Sequence, residues 1–125
     1  MFKPSDIAPR TWKLEIREDD HPVVYIDTKI KDPGTWARND PVFISCVLPA
    51  IIREVFEDIL YIHGDTEQEW SDDWLLWADS LMSGRSRPSP SDHDEFQKWV
   101  NDLLDAFCLK HCTLNTLLDH LKEEG

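Results

Sequence analysis

No stretch of this chain is apolar for long enough to cross a membrane. The longest uncharged apolar run, Val42 to Ile52, has eleven residues and is interrupted by Pro49, whereas a spanning helix needs about 20. The opening Met-Phe-Lys-Pro-Ser-Asp lacks the apolar core of a secretion signal. Cysteine is scarce and odd in number: Cys46, Cys108 and Cys112. These features predict free thiols in a reducing, cytoplasmic setting rather than a disulfide framework. Bases are outnumbered, 13 Lys and Arg against 25 Asp and Glu, for a net charge of −12. That balance argues against direct binding to nucleic acid, whose phosphates are neutralised by Lys and Arg, and against anionic membrane surfaces. Catalytic signatures are missing too. There is no G-x-S-x-G, P-loop, G-x-G-x-x-G or H-E-x-x-H, so the expectation is a protein that is not an enzyme and carries no cofactor.

What is present suits a globular chain. The 125 residues are 41% hydrophobic and 30% charged, too apolar for intrinsic disorder and long enough for one core. The expected fold is α+β and mainly α, a single domain over 1–125. Its extended portion, 1–39, holds a β-hairpin over about 11–30, and its helical portion, 40–125, holds about four helices. In the hairpin, Trp12, Leu14 and Ile16 alternate with Lys13, Glu15 and Arg17, and after a turn at Glu18 to Pro22 the alternation resumes from Val23 to Ile30. Val24, Ile26, Thr28 and Ile30 share one face, with Val23, Tyr25, Asp27 and Lys29 opposite. Two strands alone are marginal in water, so the hairpin must pack on helices or pair with something further. Asp32-Pro33-Gly34 reads as a closing turn.

Asp40-Pro41 opens a helix over about 41–63, with a wide apolar face from Phe43 to Leu60. Pro49 is expected to kink it, because it has no N–H to return to Ser45. Alternatively, Val42 to Leu48 is a buried strand, and periodicity does not separate the two. Thr66 to Glu69 forms a capping box for a second helix over about 67–83, which carries Trp70, Trp74, Trp77 and Leu81 on one stripe and stops at Gly84. Ser91 to Asp94 caps a third over about 92–110. Thr113 starts a fourth over about 113–123, with Leu114, Leu117, Leu118 and Leu121 as its seam.

The negative charge is unevenly placed. Residues 1–53 contain eight acids and eight bases, whereas residues 54–83 contain nine acids and no Lys or Arg. Acids near a helix start complement its dipole, and charges usually mark a solvated face. Thirty residues without a base are nevertheless self-repulsive, which points to a partner that supplies the bases. The candidate binding residues are Glu54, Glu57, Asp58, Asp65, Glu67, Glu69, Asp72, Asp73 and Asp79, with Trp70 as an aromatic anchor. The Trp stripe admits two readings, core packing or binding hot spot.

Other clusters are weaker. Asp65, Glu67 and Glu69 alternate as in a calcium loop, but Trp70 stands where the loop needs Gly and Leu76 where it needs Glu. Cys108, His111 and Cys112, with His120 or Cys46, offer soft ligands but lack the second Cys pair of a structural zinc site. His93-Asp94 resembles the central dyad of metal phosphohydrolases, with His63 and Asp102 as possible companions; two adjacent letters are little to build a metal site on.

These observations lead to an expected function. The chain reads as a small acidic protein-binding module that occludes a basic, nucleic-acid-binding surface of another protein. In size and charge it is similar, by class alone, to small phage-type inhibitors of CRISPR or restriction systems. The runners-up are an immunity or accessory subunit with one dedicated protein partner, and a small metal-dependent hydrolase.

Overall fold

The computed structural model describes residues 2–17, 20–62, 69–89 and 91–124, with the side chains of residues 62, 69 and 124 left aside. The fold is α+β and mainly helical, with a small sheet at the amino-terminal end. Strands β1 (Phe2–Ser5), β2 (Trp12–Glu15) and β3 (Val23–Asp27) are followed by helices α1 (Pro33–Asn39), α2 (Leu48–Glu57), α3 (Glu69–Leu81), α4 (His93–His111) and α5 (Thr113–Glu124).

The expected hairpin is present, shortened: β2 pairs antiparallel with β3, Trp12 facing Ile26 and Leu14 facing Val24. Its missing partner is β1, which adds in parallel on the other edge of β3 with Phe2 facing Val24, giving the order β1-β3-β2. The centre of a sheet is buried more completely than its edges, and this changes the faces expected for β3. Val23, Val24, Ile26 and Asp27 are all buried. Strand character ends at Asp27 rather than Ile30. Asp27 turns its carboxylate inward, accepting the Ile7 and Lys29 backbone N–H groups, each at 3.0 Å.

A second departure is α1. Asp32-Pro33 is a helix start, not a closing turn: Pro33 occupies the first turn, where its lack of an N–H costs nothing. Asp32 itself adopts the left-handed conformation, φ 48°, and its side chain does not cap.

Asp40-Pro41 does open the next helix, with the Asp40 carboxylate accepting the Phe43 N–H at 2.9 Å. Residues 42–48 are helical, which removes the strand alternative. The segment Phe43–Val47 is a π-helical turn, with the Leu48 N–H reaching back five residues to the Phe43 carbonyl. The wider turn accommodates Pro49, which has no donor and would clash with the carbonyl four residues back. The Ser45 hydroxyl donates to the Pro41 carbonyl at 2.5 Å. A second π-helical turn, Asp58–Ile62, extends α2.

One core runs through the molecule. Val24 and Ile26 of the sheet join Ala37, Phe43, the α2 residues Ile51, Ile52, Val55 and Phe56, and Phe96, Trp99, Val100 and Leu103 of α4. Phe56 is its aromatic hub, edge-on to Trp74 and Trp99 (5.8 and 5.2 Å between centroids) and stacked on Trp77. Gly84 (φ +81°) lies in the turn after α3. Asp92 caps α4 by accepting the Glu95 N–H at 3.0 Å, so Asp94 sits in the first turn and is not the cap. Cys112, left-handed at φ 50°, links α4 to α5.

The expected seam of α5 is only partly used. Thr113 is buried and Leu117 and His120 are half-buried, whereas Leu114, Leu118 and Leu121 are exposed. The two stripes lie one residue apart around the helix, and the leucine-richer one faces outward.

Candidate functional site

The acids proposed from sequence fall into four groups. Glu54, Asp72 and Asp73 are exposed and Glu57 half-buried. On α3, Asp72 and Asp73 lie one turn before Leu76, which is 61% exposed, so an uncovered apolar side chain sits among carboxylates. Asp79 belongs on the same helix but is engaged: Arg87 donates to its two oxygens, at 2.7 and 3.4 Å. That bond, aided by the fields of Asp79 and Asp72, holds the Arg87 guanidinium above its ordinary range. Arg85 is paired in the same way with Asp102 of α4.

Two proposed binding residues need correction. Asp58 is buried, 6% exposed, at the start of the second π-helical turn, and so is not presented to a partner. Trp70 is likewise 6% exposed and belongs to the core, so it offers no ring to a partner. Asp65 and Glu67, and the Glu69 side chain, lie outside the described residues, as does the capping box.

The metal readings find no assembled site. Among the described residues, no group of three or more His, Cys, Asp or Glu could hold an ion. His93 packs edge-on against Tyr61 (5.2 Å) and contacts Gln97 at 3.2 Å. Asp102 is paired with Arg85, and His63 lies outside the described residues. Tyr61 donates to the Asp92 carbonyl at 2.5 Å; burial, then the carboxylates of Asp92, Glu95 and Asp94, push its hydroxyl upward. His111 stacks at a tilt on Phe107 (4.7 Å), and Cys46 and Cys112 are exposed on separate elements.

The geometry adds a cleft that pattern reading missed. Its volume is about 280 Å³. Leu48 and Ile52 of α2, Asp73, Trp74 and Trp77 of α3, and Phe107 of α4 line it, with His21 of the β2–β3 turn at its edge. A second cleft of about 380 Å³ adjoins it, sharing His21 and Trp74 and adding Asp20 and Lys3. Trp74 and Trp77 meet at 78° with centroids 6.1 Å apart, and Trp77 meets Phe107 at 64° and 6.3 Å. Both Trp residues are half-buried, so the stripe is at once core and cleft wall. The only sequence signal was two Trp residues three apart beside Asp72 and Asp73. His21 and Phe107 arrive from distant segments, and no local pattern could have joined them.

No family model, curated protein or solved structure matches the chain.

Proposed function

We propose that this protein is a protein-binding module that acts by occlusion, docking the acidic face of α3, with Glu54 and Glu57 of α2, on a basic partner. The observation that carries this reading is the outer face of α3. Asp72 and Asp73 lie one turn before the exposed Leu76 in a stretch without Lys or Arg, while the nearest downstream bases, Arg85 and Arg87, are held by Asp102 and Asp79. The uncompensated carboxylates therefore face outward and need cations from elsewhere. A partner groove that normally holds nucleic acid supplies them, with carboxylates standing in for phosphates, as an inhibitor of a nucleic-acid-processing system would require. The reducing setting suggested by the unpaired thiols fits a cytoplasmic partner.

The test is capture of a basic partner from lysate at low and high salt, with wild-type protein and an Asp72→Lys/Asp73→Lys variant. The expected result is a complex lost at high salt and lost in the variant. Retention under both conditions defeats the reading.

The outward stripe Leu114, Leu118 and Leu121 favours a second reading, an accessory or immunity-type subunit held to one dedicated partner by apolar contact. In that case the acidic reversal slows association without abolishing it, and Leu118→Lys removes the complex.

A further inference from the structure

We infer that the cleft between α2, α3 and α4 is an aromatic cage for one alkylammonium group, the lysine side chain of a basic partner. The inference rests on the protein-binding reading above and names the group which that partner inserts.

Three observations point to this ligand class. First, the walls are aromatic and meet at steep angles. Trp74 and Trp77 meet edge to face, at 78° and 6.1 Å, and both line the cleft. Phe107 stands beyond Trp77 at 64°. The negative faces of aromatic rings attract a cation placed within about 6 Å of their centroids, and Trp is the strongest of the three. Phe56 stacks on Trp77 from the core, fixing that ring in place.

Second, the cleft has a single carboxylate, Asp73, and it is exposed. Leu48 and Ile52 add apolar wall, and His21 is the one other polar lining residue. An ammonium at the end of a four-carbon stem matches this combination, the stem lying on leucine and isoleucine and the charge reaching the rings and Asp73. The adjoining cleft is lined by a second carboxylate, Asp20, and by Lys3. An anionic ligand would meet Asp73 directly and is disfavoured.

Third, the size is right for one side chain. Small-molecule pockets run from about 300 to 1,000 Å³. A cleft of about 280 Å³ lies at the small end of that range and has room for one side chain.

The experiment is a titration of the whole chain, followed through its tryptophan indole N–H resonances by two-dimensional NMR. The probes are Nα-acetyl-lysine methylamide, its trimethylated form, and the norleucine analogue, which keeps the stem and loses the charge. Choline serves as a free quaternary ammonium. The expected result is saturable shifts of the Trp74 and Trp77 signals with both lysine probes, and binding of the norleucine analogue about tenfold weaker. Asp73→Asn, at an exposed position, weakens the lysine probes several-fold and leaves norleucine unchanged; Trp74→Leu removes the shifts. Equal binding of norleucine and lysine would make the cleft merely apolar and overturn the proposal, as would the absence of binding. Choline binding tighter than either lysine probe would also overturn it, by making the occupant a small molecule. Because the probes need no partner, a failed salt-dependent capture leaves this titration unaffected, and the two readings fall separately.

Discussion

Asp27 and Phe56 are two buried side chains with opposite chemistry, one hydrogen-bonded and one packed among aromatic rings. The Asp27 carboxylate accepts the Lys29 and Ile7 N–H groups, and those bonds, that from Lys29 first, hold it below the usual aspartate range. A folded-state pKa below the unfolded value, about 3.9, means that protonation favours unfolding. The stability it contributes is complete above about pH 3.9 and drains away as pH falls through the depressed folded value. Asp27→Asn should therefore lower the melting temperature at neutral pH and flatten the loss of stability in acid, measured by thermal melts across that range. An unchanged acid limb would assign the pH dependence to other carboxylates. Phe56 is fully buried and contacts Trp74, Trp77 and Trp99. Phe56→Ala should cost about 3–5 kcal/mol, a large part of the roughly 5–15 kcal/mol that domains possess, with urea unfolding as the measurement.

At the scale of elements, the helix opened by Asp40 depends on that cap. Asp40→Ala should cost about 1 kcal/mol, since the Phe43 N–H then loses its acceptor; a urea midpoint unchanged from wild type would mean that water or the π-helical turn satisfies that donor instead. Such starts were legible in the sequence because cap chemistry is local: Asp40-Pro41 and Asp92 declare themselves within four residues. The hairpin was legible for the same reason, its alternation spanning adjacent segments. What escaped depends on distant partners. Phe2–Ser5 is too short to show a period and becomes a strand only because β3 has an unpaired edge. Asp32-Pro33 carried the same signal as Asp40-Pro41 but was outweighed by Gly34, a turn former. The first π-helical turn depends on how Pro49 is accommodated, and the burial of Asp58 has no local signal. The acidic surface was legible in outline, because composition reports charge directly. Burial of Trp70 was not, because its stripe fits core and surface alike, nor was the pairing of Asp79 with Arg87, which depends on how the segment after α3 folds back.

At the scale of the molecule, the charge is divided between two parts. Residues 1–53 are balanced, and the whole surplus of −12 lies beyond them. Two opposing effects of salt follow. The exposed pairs Arg87–Asp79 and Arg85–Asp102 are each worth about 0–1 kcal/mol and weaken on screening. Repulsion among the exposed acids Glu54, Asp72 and Asp73 is relieved by the same screening. With nine acids and no Lys or Arg over residues 54–83, repulsion should win. The melting temperature of the isolated protein should therefore rise as the Debye length shrinks from about 30 Å at 0.01 M salt to about 8 Å at 0.15 M. Asp72→Lys/Asp73→Lys changes the charge by two units at each site, from −12 to −8, and should flatten that rise. A melting temperature that falls with salt would mean that the ion pairs dominate, and the acidic face would then lose its claim to be under strain for want of a partner.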